Sequence, residues 1–326
     1  MSPKPTPSRR TMLAAALTLA SGAAWSQAAG GWPTQAVKIL VGFPGGSTPD
    51  TAARVLAEAL ARAWGQPVVV ENRPGASGNI AADLVAKARD DHTLGVLING
   101  NLTTARRLNP RLGFDPARDF SLVSLLATAP LALVTQAGQP GGAAFFDAAR
   151  AAGARWSYGS VGQGSVSHLG MELLKSRAGI ADTVHVPYSG NPAVITALIA
   201  GQVQMGLMPP GIALPHVQAG KLRIVGVTGA RSTLAPDLEL LGALGVAVDE
   251  LEVWNALVGP ATLSRAAQER LARDVPEALR QPELRSRFLA GGWQALGSPA
   301  SVLRQGVDSE ARLLGGIIDA QGIRLE

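Results

Sequence analysis

The ten residues from Val41 to Asp50 read V-G-F-P-G-G-S-T-P-D. They follow the apolar run from Val37 to Val41 and precede Thr51 to Trp64, where Ala52, Val55, Leu56, Ala59, Leu60 and Ala63 recur at helical spacing. This pattern predicts a strand, a glycine-rich loop and a helix start. Gly45 and Gly46 permit positive φ and close approach to the backbone, Pro44 and Pro49 stiffen the turn, and Asp50 stands where an N-cap is expected. Such a loop offers unpaired N–H groups at the positive end of a helix dipole, which suits a carboxylate. An ordinary strand-to-helix turn of an α/β protein is the competing reading of the same residues.

Working outward, the unit repeats. Val68 to Val70 is an apolar strand, and Glu71 to Asn79 (E-N-R-P-G-A-S-G-N) is a second glycine-rich loop, with Asn79 placed to cap a helix through Arg89. Thr93 to Ile98 is a third strand, ending at Asn99-Gly100-Asn101. Strand and helix in alternation imply right-handed crossovers and a parallel sheet, whose ligands lie beyond the carboxyl ends of the strands. Ser121 to Thr135 is strand-like in two pieces broken at Ala129-Pro130, where the chain is expected to pass into a second domain.

There the pattern recurs. A helix from Ala143 to Ala152 and a strand from Arg155 to Ser160 lead into the loop S-V-G-Q-G-S (Ser160 to Ser165) and a helix with Val166, Leu169, Leu173 and Leu174 on one face. The strand from Val184 to Val186, the loop from Pro187 to Pro192 and a helix from Ala193 to Ala200 come next. The strands Gln204 to Met208 and Arg223 to Val227, with the helix Ile212 to Ala219 between them, complete the unit. Asp237 to Asp249 is loop-like, Leu251 to Pro260 is a strand returning to the first domain, and three helices follow, the last weakened by Gly315-Gly316. The expected division is 32–129 plus 253–326 for the first domain and 130–252 for the second. Two crossings between domains make a hinge that closes on a ligand.

Composition narrows the function. A length of 326 residues suggests two domains, and 47% hydrophobic residues supply their cores. Lys4, Arg9 and Arg10 carry three charges in an acid-free opening segment; taking them from the formal +5 leaves +2, too little for a nucleic-acid surface. Ser8-Arg9-Arg10, the short apolar run from Met12 to Ala20 and Ser26-Gln27-Ala28 form a secretory signal over residues 1–28, cleaved after Ala28. The run is too short for a membrane anchor, and Arg9-Arg10 leaves Sec and twin-arginine export both open.

Cofactor and enzyme readings are weak. Gly162-x-Gly164-x-x-Ser167 imitates a dinucleotide fingerprint, yet Ser167 replaces the third glycine and Asp182 precedes its strand. Gly164 to His168 is not a G-x-S-x-G elbow, which makes a secreted ester or amide hydrolase the runner-up only; Ser165 reads better as a cap or carboxylate donor. His92, His168, His185 and His216 lack metal-ligand spacing. No cofactor or metal is expected.

The motifs F-P-G-G-S-T-P-D-T-A-A-R, E-N-R-P-G-A-S-G-N and L-N-P between Phe43 and Pro110, with Tyr158-Gly159-Ser160, Gly162 to His168 and His185-Val186-Pro187-Tyr188, resemble the Bug family. These are the extracytoplasmic substrate-binding proteins of tripartite tricarboxylate transporters, and the likeness spans nearly the whole mature chain. It implies a two-domain periplasmic binding protein fold (type II-like), monomeric, working with membrane subunits of a transporter; a ligand-sensing subunit for a sensor kinase is a separate alternative. It implies a small carboxylate held between glycine-rich loops by backbone N–H groups and ordered waters. The candidate contacts are Phe43, Pro44, Gly45, Gly46, Ser47 and Asp50 from the first loop, Asn99 and Asn101 from the third strand end, Ser160, Gly162, Gly164, Ser165 and His168 from the second domain, and Tyr188, Gly190 and Asn191 beyond. Many members carry an aspartate where this chain has Met208, so a ligand without an amino group is expected, with Met208 against its carbon skeleton. Arg106 or Arg107 is placed to meet a second carboxylate.

Overall fold

The computed structural model describes residues 31–180, 182–229, 237–248 and 251–324, so the export segment lies outside the described residues. The opening unit forms as read: β1 (Val37–Val41), α1 (Thr48–Trp64), β2 (Val68–Asn72), α2 (Asn79–Lys87) and β3 (Thr93–Ile98). Ala52, Val55, Leu56, Ala59 and Leu60 are buried on α1, whereas Ala63 is exposed in its last turn. Asp50 is not the N-cap. Ser47 is, because Pro49, which has no N–H to leave unpaired, fits the first turn and draws the helix start back to Thr48. Likewise Gly78, at φ +89°, caps α2 and Asn79 is its first residue. That helix stops at Lys87 rather than Arg89, since the Asp90 carboxylate accepts from the His92 N–H at 2.7 Å and the Thr93 hydroxyl at 3.0 Å to form a turn.

The chain continues through α3 (Asn99–Thr103), α4 (Ala105–Leu108), β4 (Phe120–Pro130), β5 (Ala132–Gln136), α5 (Ala143–Ala152), β6 (Ser157–Ser160), α6 (Val166–Ala178), β7 (Val184–Pro187) and α7 (Asn191–Ile199). After β8 (Met205–Met208), α8 (Pro210–Gln218) and β9 (Leu222–Val227) come β10 (Glu252–Pro260), α9 (Arg265–Arg280), α10 (Pro282–Ala290), β11 (Gln294–Ala295) and α11 (Ala300–Gln321).

Two sheets flanked by helices result, one ordered β11-β4-β10-β3-β1-β2 and the other β7-β6-β8-β5-β9. Each has a parallel trio at one edge, β2-β1-β3 and β7-β6-β8, extended on the other side by antiparallel strands. The antiparallel members include the strands on either side of each crossing. Only Leu131 separates β4 in the first sheet from β5 in the second. Each sheet buries an apolar cluster on both faces. Helix α11 joins the two lobes: Leu303 packs with the first sheet, while Leu314, Ile317 and Ile318 pack with the second. Gly315 lies against the Arg107 guanidinium, where a Cβ would stand 3.4 Å from it, so packing compensates the weak propensity of the Gly-Gly step.

Candidate functional site

The first loop is braced from behind. The Gly46 N–H donates to Asp50 Oδ2 at 2.9 Å, and Asp50 also accepts from Arg54 Nε at 3.0 Å and Asn72 Nδ2 at 2.8 Å. Burial pushes the Asp50 carboxyl up, but these hydrogen bonds and the Arg54 charge outweigh it and hold the group below the usual range. Asp50 is thus an ionised strut for the loop, already paired.

The second loop is braced by a histidine. The Gly164 N–H donates to His168 Nδ1 at 3.1 Å, and Ser165 Oγ donates to the Gly162 carbonyl at 2.6 Å and accepts from the His168 N–H at 3.3 Å. His168 stacks on His185 with ring centroids 4.0 Å apart, and His185 stacks on Tyr158. Burial first, then neighbouring positive charge, lowers His168 to about 4 and His185 to about 3, so both rings are neutral at pH 7. His168 therefore cannot activate Ser165: its Nδ1 already accepts the loop N–H. Ser160 Oγ lies 2.6 Å from His185 Nε2 but lines none of the cleft cavities.

Between the lobes lies a cavity of about 30 Å³, space for roughly two waters. Its wall comprises Phe43, Ser47, Thr48 and Pro49; Ile98 and Asn99; Val161, Ser165, Val166 and Ser167; Gly190 and Asn191; Leu207 and Pro209; and the crossing residues Leu131 and Val253. The starts of α1, α6, α7 and α8 all reach it, and none of the lining side chains is charged. Four helix N-termini converging on one space give a positive potential without a cation. Ser47 Oγ, Asn99 Oδ1 and Asn191 Oδ1 are buried there with no partner. Orphan polar atoms on three side chains that line one cavity point to a polar occupant or ordered water.

Phe43 and Val161 also line an outer cleft of about 310 Å³ that includes Gly42, Gly78, Gly162, Gln163 and Tyr188. The lobes are closed on each other: Thr104 Oγ1 donates to the Gly164 carbonyl at 2.9 Å, and a Cβ built on Gly162, at φ +128°, would fall 2.3 Å from Ser77 Oγ.

Of the residues singled out from sequence, Phe43, Ser47, Asn99, Ser165, Gly190 and Asn191 line the inner cavity, and Gly162 and Tyr188 the outer cleft. The others stand elsewhere. Pro44 accepts the Ser47 N–H to close the first turn, Gly45 and Gly46 are exposed, and Ser160 and His168 act as braces. Asn101 and Gly164 line a small side pocket, where the Asn101 amide is spent on the Ser77 carbonyl and Asn79. Met208 is fully buried in the apolar cluster with Val194 and Leu198, because strand alternation turns its neighbours Leu207 and Pro209 to the cavity instead. Arg107 pairs with Asp319, and Arg106 donates to the Leu112 carbonyl at 2.9 Å; neither faces the cleft.

Asn255 went unread. Fully buried on β10, on the same face as Val253, it has neither amide atom bonded. A lone amide in the apolar run Trp254-Asn255-Ala256-Leu257 was the available signal. Among the described residues no group of three or more metal-ligating side chains occurs.

Residues 52–323 match the family profile "Tripartite tricarboxylate transporter family receptor". The chain is 32% identical over 312 residues to the "UPF0065 protein in tcbD-tcbE intergenic region" of Pseudomonas sp. (strain P51), covering 93% of this chain and 91% of that one. Among solved structures it is similar to "R. palustris Rpa4515 with adipate" (29% identity, TM-score 0.86, 90% and 99% covered). It is also similar to "MatC (Rpa3494) from Rhodopseudomonas palustris with bound malate" (28%, 0.82, 88% and 100%). With two helix-flanked sheets closing on a cavity at their strand ends, this chain belongs to the tripartite tricarboxylate transporter family of receptors.

Proposed function

We propose that this receptor works in the periplasm, closing its lobes, 32–129 plus 253–326 and 130–252, over a small mono- or dicarboxylate without an amino group and presenting it to membrane subunits for uptake, without turnover. The observation that carries this reading is the convergence of four helix starts and three unpartnered polar atoms on one cavity free of charged side chains. The carboxylate head belongs at the helix starts. A longer carbon skeleton extends past Phe43 and Val161 into the outer cleft. Similar proteins bound to adipate and to malate support a carboxylate ligand.

Exclusion of an ammonium group rests on the absence of an acid in the cavity wall and on Asp50 being tied to Arg54, rather than on Met208. Burying an unpaired charge costs several kcal/mol, roughly a thousandfold in affinity. In a thermal-shift panel pairing each carboxylic acid with its α-amino analogue, a plain acid at 100 times its Kd should stabilise by ~2.7 kcal/mol, about 4–5 °C. Greater stabilisation by the amino acids, or by none of the acids, overturns this reading. Export should remove residues 1–28, so N-terminal sequencing of periplasmic material should start near Ala29; intact Met1 there would contradict it.

A further inference from the structure

Asn99 joins the cleft to a buried acid behind it. Its Nδ2 donates to the Glu252 backbone carbonyl at 3.1 Å and to Glu310 Oε1 at 2.8 Å, while Glu310 Oε2 accepts the Trp254 indole N–H. The acceptors come from β10 and α11, the helix that spans both lobes. With the amino side pinned, the amide has one orientation, and Oδ1 is the atom left unpartnered, on a side chain that lines the inner cavity. Ser47 offers a hydroxyl that donates or accepts, and the structure shows no hydrogen bond from the Asn191 amide that would fix its orientation. Asn99 alone among these three presents a fixed acceptor.

We propose that Asn99, held by the Glu252 carbonyl and Glu310, selects carboxylates that carry a hydroxyl group within reach of the helix starts. This rests on the carboxylate reading above and names its ligand class as the hydroxycarboxylates. An ionised carboxylate brings only acceptors and would face Oδ1 with like polarity. An ammonium group would donate, but finds no counter-charge among the lining side chains. A hydroxyl donates without charge and satisfies the orphan atom. Burial pushes Glu310 up to about 8, against the hydrogen bonds from Trp254 and Asn99. The Glu252 carbonyl accepts in either protonation state, and Glu310 supplies the second hold on the Asn99 amide.

Calorimetry with matched pairs differing by one hydroxyl tests this: malate against succinate, lactate against propionate, 3-hydroxybutyrate against butyrate. In at least one pair the hydroxy acid should bind roughly 10- to 100-fold tighter, the consequence of leaving a buried acceptor unpaired in its partner. Asn99→Leu should erase the ratio. Glu310→Gln should reduce it without unfolding the chain, because the Gln amino group would oppose a donor from Asn99 or Trp254 and loosen the amide. That ratio is a readout that mere structural support would leave unchanged. If hydroxy and deoxy acids bind equally to the wild type, a retained water serves Oδ1 and this inference fails while the receptor reading stands. A ratio preserved in both variants also overturns it. Binding of no acid at all is instead the failure of the carboxylate reading.

Discussion

Replacing Gly211 by alanine is expected to cut carboxylate affinity roughly 100-fold or more while both lobes stay folded. A Cβ at Gly211, in the first turn of α8, would stand 2.4 Å from the Cα and N of Gly292 and 2.6 Å from the carbonyl carbon of Gly291. Gly211 belongs to the second lobe, whereas Gly291 and Gly292 lie between α10 and β11 in the first. Backbone cannot rotate aside as a side chain can, so relief comes from separating the lobes, at about 3 kcal/mol for an overlap of this kind. Separation uncouples the helix starts that would share the proposed carboxylate. In the opened protein alanine suits a helical turn at least as well as glycine, so thermal stability without ligand should hold or rise slightly. Calorimetry gives the affinity and small-angle scattering the closure. An unchanged Kd would mean that this glycine contact is not closed in the bound state.

The second large effect separates two glycines that look equivalent in sequence. Gly46 sits at φ +80° and Gly164 at φ +75°, conformations costly for a β-branched residue. A Cβ at Gly46 would meet nothing within 4 Å, whereas one at Gly164 would fall 2.4 Å from Leu108 Cδ1 across the cleft. Gly164 is held further by its N–H on His168 and its carbonyl on Thr104. Gly46→Val therefore carries backbone strain alone, about 1–3 kcal/mol, and should weaken binding roughly tenfold. Gly164→Val adds an overlap at the closing surface and should lower affinity by roughly a thousandfold. Circular dichroism melts check that both variants fold. Equal losses would show that strain alone decides, and a larger loss at Gly46 would shift the carboxylate toward the first loop.

The candidate site was legible only in part. Phe43, Ser47, Ser165, Gly190 and Asn191 line the inner cavity as expected of glycine- and proline-bearing loops between an apolar run and a helical period, which mark strand ends where helix starts expose N–H groups. His168 and Asp50 share those loops, yet their side chains turn back as braces. Loop membership indicates proximity to a cleft and leaves side-chain direction open. Met208 was misread for the complementary reason. Strand alternation was available at positions 205–208, but which face of β8 looks toward the other lobe depends on β5 and β6 pairing on either side of it.

Sequence alone determined the α/β class and the repeated strand-loop-helix unit, because both rest on local steric preference and hydrophobic period, and its loop motifs carried the family resemblance. Tertiary structure decided the rest. The Asn99 amide is oriented by a carbonyl 153 residues away and a carboxylate 211 residues away, and the inner cavity closes with Leu131 and Val253 from the two crossings between the lobes. A local pattern encodes which residues leave water. Which of those buried surfaces faces a ligand is fixed only when two lobes, each already folded, meet across their strand ends.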